Sequence, residues 1–452
     1  MSEFPFPSVY RLVQRWQHPE ISDVAGAVRE AILGSRLRQR LRPGARVALA
    51  VGSRGIHRLG EMVSAAVQTL RQLGTEPFIV AAMGSHGGAT PEGQRALLAS
   101  YGVTESALGV PIRTDMDVVE LGSNSWGEPV YWDKNAFQAD AVVALARIKP
   151  HTDFRGRYES GLVKMLVIGL GKRAGAETHH KYGVRGLRDM IPESAKVVLA
   201  RTPFALGLAI LENAREYTAR ILAVEPEELL QREPLLLEEA RRLMPRLPFA
   251  QLDLLVVGEL GKNYSGTGMD VHVLGRQQVE GETDTLDPRI TRICVLDLSE
   301  ESHGNAVGVG LADLTTRRLL SRMDEHVTQV NALTSCFLLR TKIPPAFAND
   351  RQCIAMGLKT CWQPRLSEVR LAIIPNTLQL ETLYVTSGLA EEARQLAQNA
   401  RPGQGLHLEV DDTPIALPFD SDGFLQQEVL FPDSIRARRR NRSSSGNVET
   451  LG

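Results

Sequence analysis

A chain of 452 residues has room for two or three domains, each with a core of its own. Its 43% hydrophobic and 23% charged residues describe a globular protein, and 52 basic against 53 acidic side chains leave a net charge of -1, so no global field steers it toward nucleic acid or a membrane surface. Four cysteines (Cys294, Cys336, Cys353, Cys361) form neither a CxxC pair nor a disulfide framework, and the N-terminal stretch lacks the apolar core of a signal peptide. The expectation is a cytoplasmic protein with buried thiols, and the longest apolar run, residues 162–170, is interrupted by Lys164 and too short to cross a bilayer.

In chain order, short runs rich in Val, Ile and Leu at residues 46–51, 78–82, 139–146 and 196–200 read as strands. Between the first two, residues 59–73 carry Leu59, Met62, Val63, Ala66 and Leu70 at helical spacing and end at Gly74, which makes one βαβ unit. An acidic helix follows at 225–244, then a proline break at 245–248. Further strands are expected from Asp253, at 293–298, 336–341, 369–374 and 383–387. The fold class read from this alternation is α/β: two α/β domains with mostly parallel sheets and the active site in the cleft between them. Residues 1–247 form the first domain and 248–432 the second. Residues 433–452, rich in Arg and Ser, form a solvated tail.

In open α/β sheets, ligands bind beyond the carboxyl ends of the strands. The first strand runs into Gly52-Ser53-Arg54-Gly55, the second into Gly84-Ser85-His86-Gly87-Gly88, and the third into Lys149-Pro150-His151-Thr152-Asp153. One arginine and two histidines thus fall at successive strand ends, which is where binding and acid/base groups belong. Lys164 interrupts an apolar run, so its amine is either carried to a surface or costly to bury. Gly169-Leu170-Gly171-Lys172 has part of a phosphate loop but lacks the earlier glycine and the Ser/Thr, and no GxGxxG or HExxH occurs. Of the adjacent His179 and His180, at most one faces a given ligand. Later in the chain, Gly258 to Gly268, with Lys262 and several hydroxyls, suits an anionic, oxygen-rich ligand. Asp115, Asp117 and Glu159 look no different from solvated loop carboxylates.

Together, the Gly-Ser-His turn, His151, Lys164 thirteen positions on and His180 sixteen beyond that resemble the nickel-dependent lactate racemase family, most closely over about residues 40 to 200. The resemblance implies a racemase or epimerase inverting C2 of a 2-hydroxy acid by hydride transfer to and from a nickel-pincer nucleotide. It makes Lys164 the covalent anchor of that cofactor, His180 the side-chain ligand to nickel, and His86 and His151 the two acid/base groups. Arg54 and Lys262 would hold the substrate carboxylate. The implied partners are the 2-hydroxy acid, a sugar acid given the hydroxyl-rich loop at 262–267, and the enzymes that build the cofactor. Two departures stand out: Gly52-Ser53-Arg54-Gly55 replaces the family's Asp-x-Thr-Arg-Pro style segment, and Gly161-Leu162-Val163 replaces Gly-Gly-Arg before the lysine. The residues also admit a non-enzymatic protein that binds an anionic sugar or hydroxy acid. A third reading is a nicotinamide-dependent oxidoreductase, against which the missing dinucleotide fingerprint argues.

Overall fold

The computed structural model describes residues 4–53, 55–284, 287–399 and 405–434. It divides into two units, His18–Met244 on one side and Met1–Gln17 with Pro245–Gly452 on the other. The first strand, β1 (Tyr10–Trp16), therefore goes with the C-terminal unit, a difference from the contiguous domain 1–247 expected above. Its seven residues bury Leu12, Val13, Gln14 and Trp16, and they are claimed by backbone partners almost four hundred positions away in sequence.

Within His18–Met244 the strands are β2 (Arg46–Val51), β3 (Glu76–Ala81), β4 (Ile112–Arg113), β5 (Val118–Ser123), β6 (Pro129–Asp133), β7 (Ala141–Arg147), β8 (Phe204–Glu212) and β9 (Thr218–Val224). Six of them form one sheet in the order β4-β3-β2-β7-β8-β9, parallel except for β9, while β5 and β6 pair as a separate hairpin. Apolar runs without alternation suit strands covered on both faces. In β2, Val47, Leu49 and Val51 pack with the helix Leu59–Gln72, whereas Ala48 and Ala50 face the other way, into a core with Trp132, Leu162, Val163 and Leu166. That second core also takes the helices Ile191–Arg201 and Leu229–Leu243.

Residues 196–200, expected as a strand, lie inside the helix Ile191–Arg201, and the strand is β8 instead. Pro192 opens that helix, and Ile191, Ser194, Ala195 and Val198 bury one helical stripe, so a short β-branched run was overruled by its longer context.

The C-terminal unit adds β10 (Gln251–Val257), β11 (Arg289–Val295), β12 (Leu314–Thr316), β13 (Ala346–Phe347), β14 (Leu371–Ile374), β15 (Thr382–Val385) and β16 (Leu406–Val410). With β1 they make an eight-stranded sheet, β13-β12-β11-β10-β14-β15-β1-β16, parallel from β13 to β14 and antiparallel beyond. Residues 336–341 are not a strand: Cys336 caps the helix Glu325–Ser335 with φ 63°, and Leu338–Thr341 form a tight helical turn. Cys294, Cys353 and Cys361 are buried thiols, while Cys336 is exposed. The Arg/Ser-rich segment from residue 435 on lies outside the described residues. No helix among the described residues is long and apolar enough to cross a membrane.

Candidate active site

The carboxyl ends of β3, β2 and β7 set out the site. β2 lies between the other two, so the segments leaving β3 and β7 are about 10 Å apart at the level of the strands. His86 follows β3, Ser53 follows β2 and His151 follows β7.

His86 is presented by a turn that needs glycine. Gly87 has φ +65°, and a Cβ there would meet the backbone of Gly93 and Gln94 at 2.7 Å. Buried Gln94 reaches back from the helix Pro91–Ser100 and donates through Nε2 to the carbonyls of Gly84 (3.1 Å) and His86 (3.3 Å), fixing the turn. The exposed His86 ring meets Ser53 Oγ through Nδ1. Tyr101 Oη, donating to Ser53 O at 2.8 Å, holds that serine in turn.

His151 sits in a loop closed by backbone pairing of Lys149 with Ser160. Glu159, buried to 1% exposure, is the loop's anchor: its carboxylate accepts from the amides of His151 (2.6 Å) and Gly156 (3.1 Å) and pairs with Arg241 at 2.6 Å. The ring of His151 stacks on Phe154, with centroids 4.5 Å apart. Its Nδ1 accepts from the Asp153 amide at 3.0 Å, and its Nε2 contacts the Lys164 amine.

Lys164 ends the single α-turn Leu162–Lys164, which continues as a π-turn over Met165–Gly169, a distortion that recurs at functional sites. The turn is tied down on three sides. Glu233, buried in the helix Leu229–Leu243, accepts from the Val163 amide at 2.9 Å. Trp132 Nε1 donates to Leu166 O at 2.9 Å. Gly84, just ahead of His86, donates its amide to Gly169 O at 3.0 Å, so the His86 and Lys164 turns share a hydrogen bond. Gly161 precedes the turn because a Cβ there would lie 2.5 Å from Glu233 Oε1.

His179 and His180 close the helix Lys172–His180 and divide as their adjacency requires. His179 is buried, with Nδ1 on Gly175 O (2.7 Å) and Nε2 on Ser194 Oγ (3.0 Å), so its role is structural. His180 is exposed and bonds only through Nδ1, to Ala176 O at 2.6 Å, and its Nε2 has no partner among the described residues. The protein packed around this ring lowers its pKa below the ordinary imidazole value. The Ala176 bond opposes that shift, a charge on Lys164 adds to it and Asp153 counters it, which places His180 within electrostatic reach of both.

The remaining residues of interest divide differently from the expectation. Arg54 lies outside the described residues. Lys262 belongs to the other unit, where its Nζ donates to Gly266 O at 2.8 Å. Lys172 is no phosphate ligand: it is wholly buried, at φ +55°, with its amine 3.0 Å from Asp133 and donating to Ala81 O at 2.6 Å, so it ties the end of β3 to the start of the His180 helix. Asp115 and Asp117 are loop carboxylates on Asn135 and Lys134. Glu159, Glu233 and Arg241 were not separable from ordinary polar residues in the sequence, since Arg241 meets Glu159, and Glu233 meets the Lys164 turn, only once the helix Leu229–Leu243 packs there.

Residues 8–188 match the family model described as the lactate racemase N-terminal domain. The matched segment is less than half of the chain. It contains Ser53, His86, His151, Lys164 and His180, and it stops short of Glu233, Arg241 and Lys262. Among solved structures the chain is similar to a protein from Thermotoga maritima (TM-score 0.45, 12% identity, covering 62% of this chain and 72% of that one). It is also similar to the lactate racemase apoprotein of Thermoanaerobacterium thermosaccharolyticum (TM-score 0.48, 12% identity, covering 81% and 94%). No curated protein matches the chain by sequence.

Proposed function

We propose that this protein is an isomerase of the racemase or epimerase type, which inverts C2 of a small 2-hydroxy acid using a nickel-pincer nucleotide. The observation that carries the reading is the grouping of Lys164, His151 and His180 at the carboxyl edge of a sheet within a segment that matches the lactate racemase N-terminal domain.

The donor chemistry fits the group. With Nδ1 of His180 committed to a carbonyl as its N–H, the neutral ring keeps its lone pair on Nε2, the form in which imidazole binds nickel. The lowered pKa of His180 keeps that lone pair unprotonated near neutrality. Among the described residues no three His, Cys, Asp or Glu side chains are grouped to hold a metal, so the other donors would be the sulfur arms of the nucleotide. Lys164 would hold the nucleotide as a thioamide. When bound, the group supplies a hydride acceptor for C2 of the substrate.

The chain's own residues handle protons and orientation. A neutral histidine takes the substrate hydroxyl proton on one face, and a second histidine serves the other face after the carbon is inverted. His86 and His151, which follow the strands on either side of β2, are the proposed pair. Ser53 Oγ meets His86 through Nδ1. Arg54 is the proposed carboxylate contact.

The deciding experiment is intact-protein mass spectrometry with nickel analysis after co-production with the pincer-nucleotide pathway, whose enzymes are the implied loading partners. A nucleotide-sized adduct and nickel, both lost in Lys164→Ala, are expected. Wild-type chain left unmodified and metal-free, under conditions that load a known lactate racemase, would favour a hydroxy-acid binding protein instead.

A further inference from the structure

The contact between Lys164 and His151 has a consequence for the lysine itself. Nδ1 of His151 accepts the backbone N–H of Asp153 at 3.0 Å, so this nitrogen presents its lone pair and carries no proton. A neutral imidazole must then carry its one proton on Nε2, and Nε2 is the atom that meets the Lys164 amine. Two nitrogens in hydrogen-bond contact need one proton between them and one lone pair. With the proton on Nε2, the lone pair belongs to Nζ. We infer that His151 holds Lys164 as a free amine, a nucleophile ready for covalent capture of a carbonyl-type electrophile before any cofactor is present.

The surroundings keep the ring from turning to another tautomer. Its backbone amide is bound by Glu159, which Arg241 and Arg155 hold at 2.6 and 3.7 Å, and its face is stacked on Phe154. The Asp153 carboxylate lies 3.8 Å from Nδ1, accepts from Thr152 Oγ, and would favour an added proton. The Phe154 ring, 5.9 Å from Nζ, would favour one weakly. Against these stands the Asp153 amide, which would lose its acceptor if Nδ1 were protonated. A free amine adds directly to a carbonyl carbon and the C–N bond forms: with an aldehyde or ketone both amine protons move to the oxygen, which leaves as water from an imine, and with an acyl group one proton moves to the thiol or alcohol that departs from an amide. An ammonium must first lose a proton.

The inference rests on the proposed role of Lys164 as a covalent anchor, but its test needs no cofactor. Full-length apoprotein is exposed briefly to pyridoxal 5'-phosphate, reduced with borohydride, and digested, and the label at each lysine is quantified by mass spectrometry from pH 6.5 to 9. An ordinary lysine amine reacts through its small unprotonated fraction, so its rate rises about tenfold per pH unit in this range, and the exposed Lys359 is the comparison site. Lys164 is expected to label at least about tenfold faster than Lys359 at pH 7, with a nearly flat pH profile, and His151→Gln should return it to the steep one. A steep profile for wild-type Lys164, or no advantage over Lys359, overturns the inference on its own, whether or not the variant folds. Selective, flat labelling combined with failure to acquire a nucleotide during co-production would leave this inference standing and remove the cofactor reading.

Discussion

Glu233 shows how one side chain can link the site to stability. Complete burial pushes its carboxyl up to about 7, and the amides of Val163 and Leu162 pull it back only in part. The folded chain therefore binds this proton more tightly than the unfolded chain, where the ordinary value is 4.5. The stabilisation is complete below pH 4.5 and is lost as pH rises to 7, about 3 kcal/mol in all. Glu233→Gln keeps an acceptor for Val163 and removes the buried charge. It should exceed wild type in stability by up to about 3 kcal/mol at pH 8, with the gap closing toward pH 4.5. Urea unfolding at the two pH values checks this, and an equal gap at both would contradict it. The buried pair of Lys172 and Asp133 behaves oppositely, because removing one partner strands the other's charge. Asp133→Asn should cost about 3–5 kcal/mol, and Asp133→Leu with Lys172→Met should recover most of that loss in the same assay.

At the level of elements, the helix Leu229–Leu243 braces both the His151 loop and the Lys164 turn. Glu233 caps the turn of Lys164, and Arg241, two turns further on, neutralises the carboxylate that binds the His151 amide. Arg241→Met should leave the helix intact, since Arg241 is partly exposed, while loosening the loop: amide protection at His151 and Gly156 is expected to fall about tenfold by hydrogen exchange, with that at Val163 unchanged. Protection lost equally at Val163 would mean that the helix itself had moved. Such links explain which parts of the site were legible in sequence. His86, His151 and Lys164 stood out because each lies at the end of an apolar run or inside one, whereas His180 was set apart from His179 only by the family resemblance. Glu159 and Glu233 were not, because a carboxylate that organises a loop looks like a solvated one until the chain folds over it. Strands β2, β7 and β10 announced themselves as apolar runs bounded by turn residues. Residues 196–200 misled for the same reason, since five apolar-rich residues suit a buried helix as well as a strand.

At the scale of the whole molecule, the least legible feature was the membership of β1. Nothing local in Tyr10–Trp16 says that it inserts between β15 and β16, because strand pairing over hundreds of residues leaves no periodic trace. Its consequence is specific. β16 has β1 as its sheet partner among the described residues, and Gln14 also donates through Nε2 to Leu380 O (2.6 Å) and Arg246 O (3.1 Å). Deleting residues 1–17 should therefore abolish amide protection along Leu406–Val410 and weaken it along Thr382–Val385, while leaving β2, β3 and β7 protected. The reciprocal experiment is sharper. Every strand of the sheet that carries His86, His151 and Lys164 lies within His18–Met244, as do both of its cores and the helix that braces the loops. A fragment of residues 18–244 should thus fold cooperatively on its own and keep the selective, pH-insensitive labelling of Lys164. A fragment that unfolds without a cooperative transition would mean that this unit depends on the remainder of the chain. A well-folded fragment whose Lys164 labels like a surface lysine would place the control of that amine outside His18–Met244.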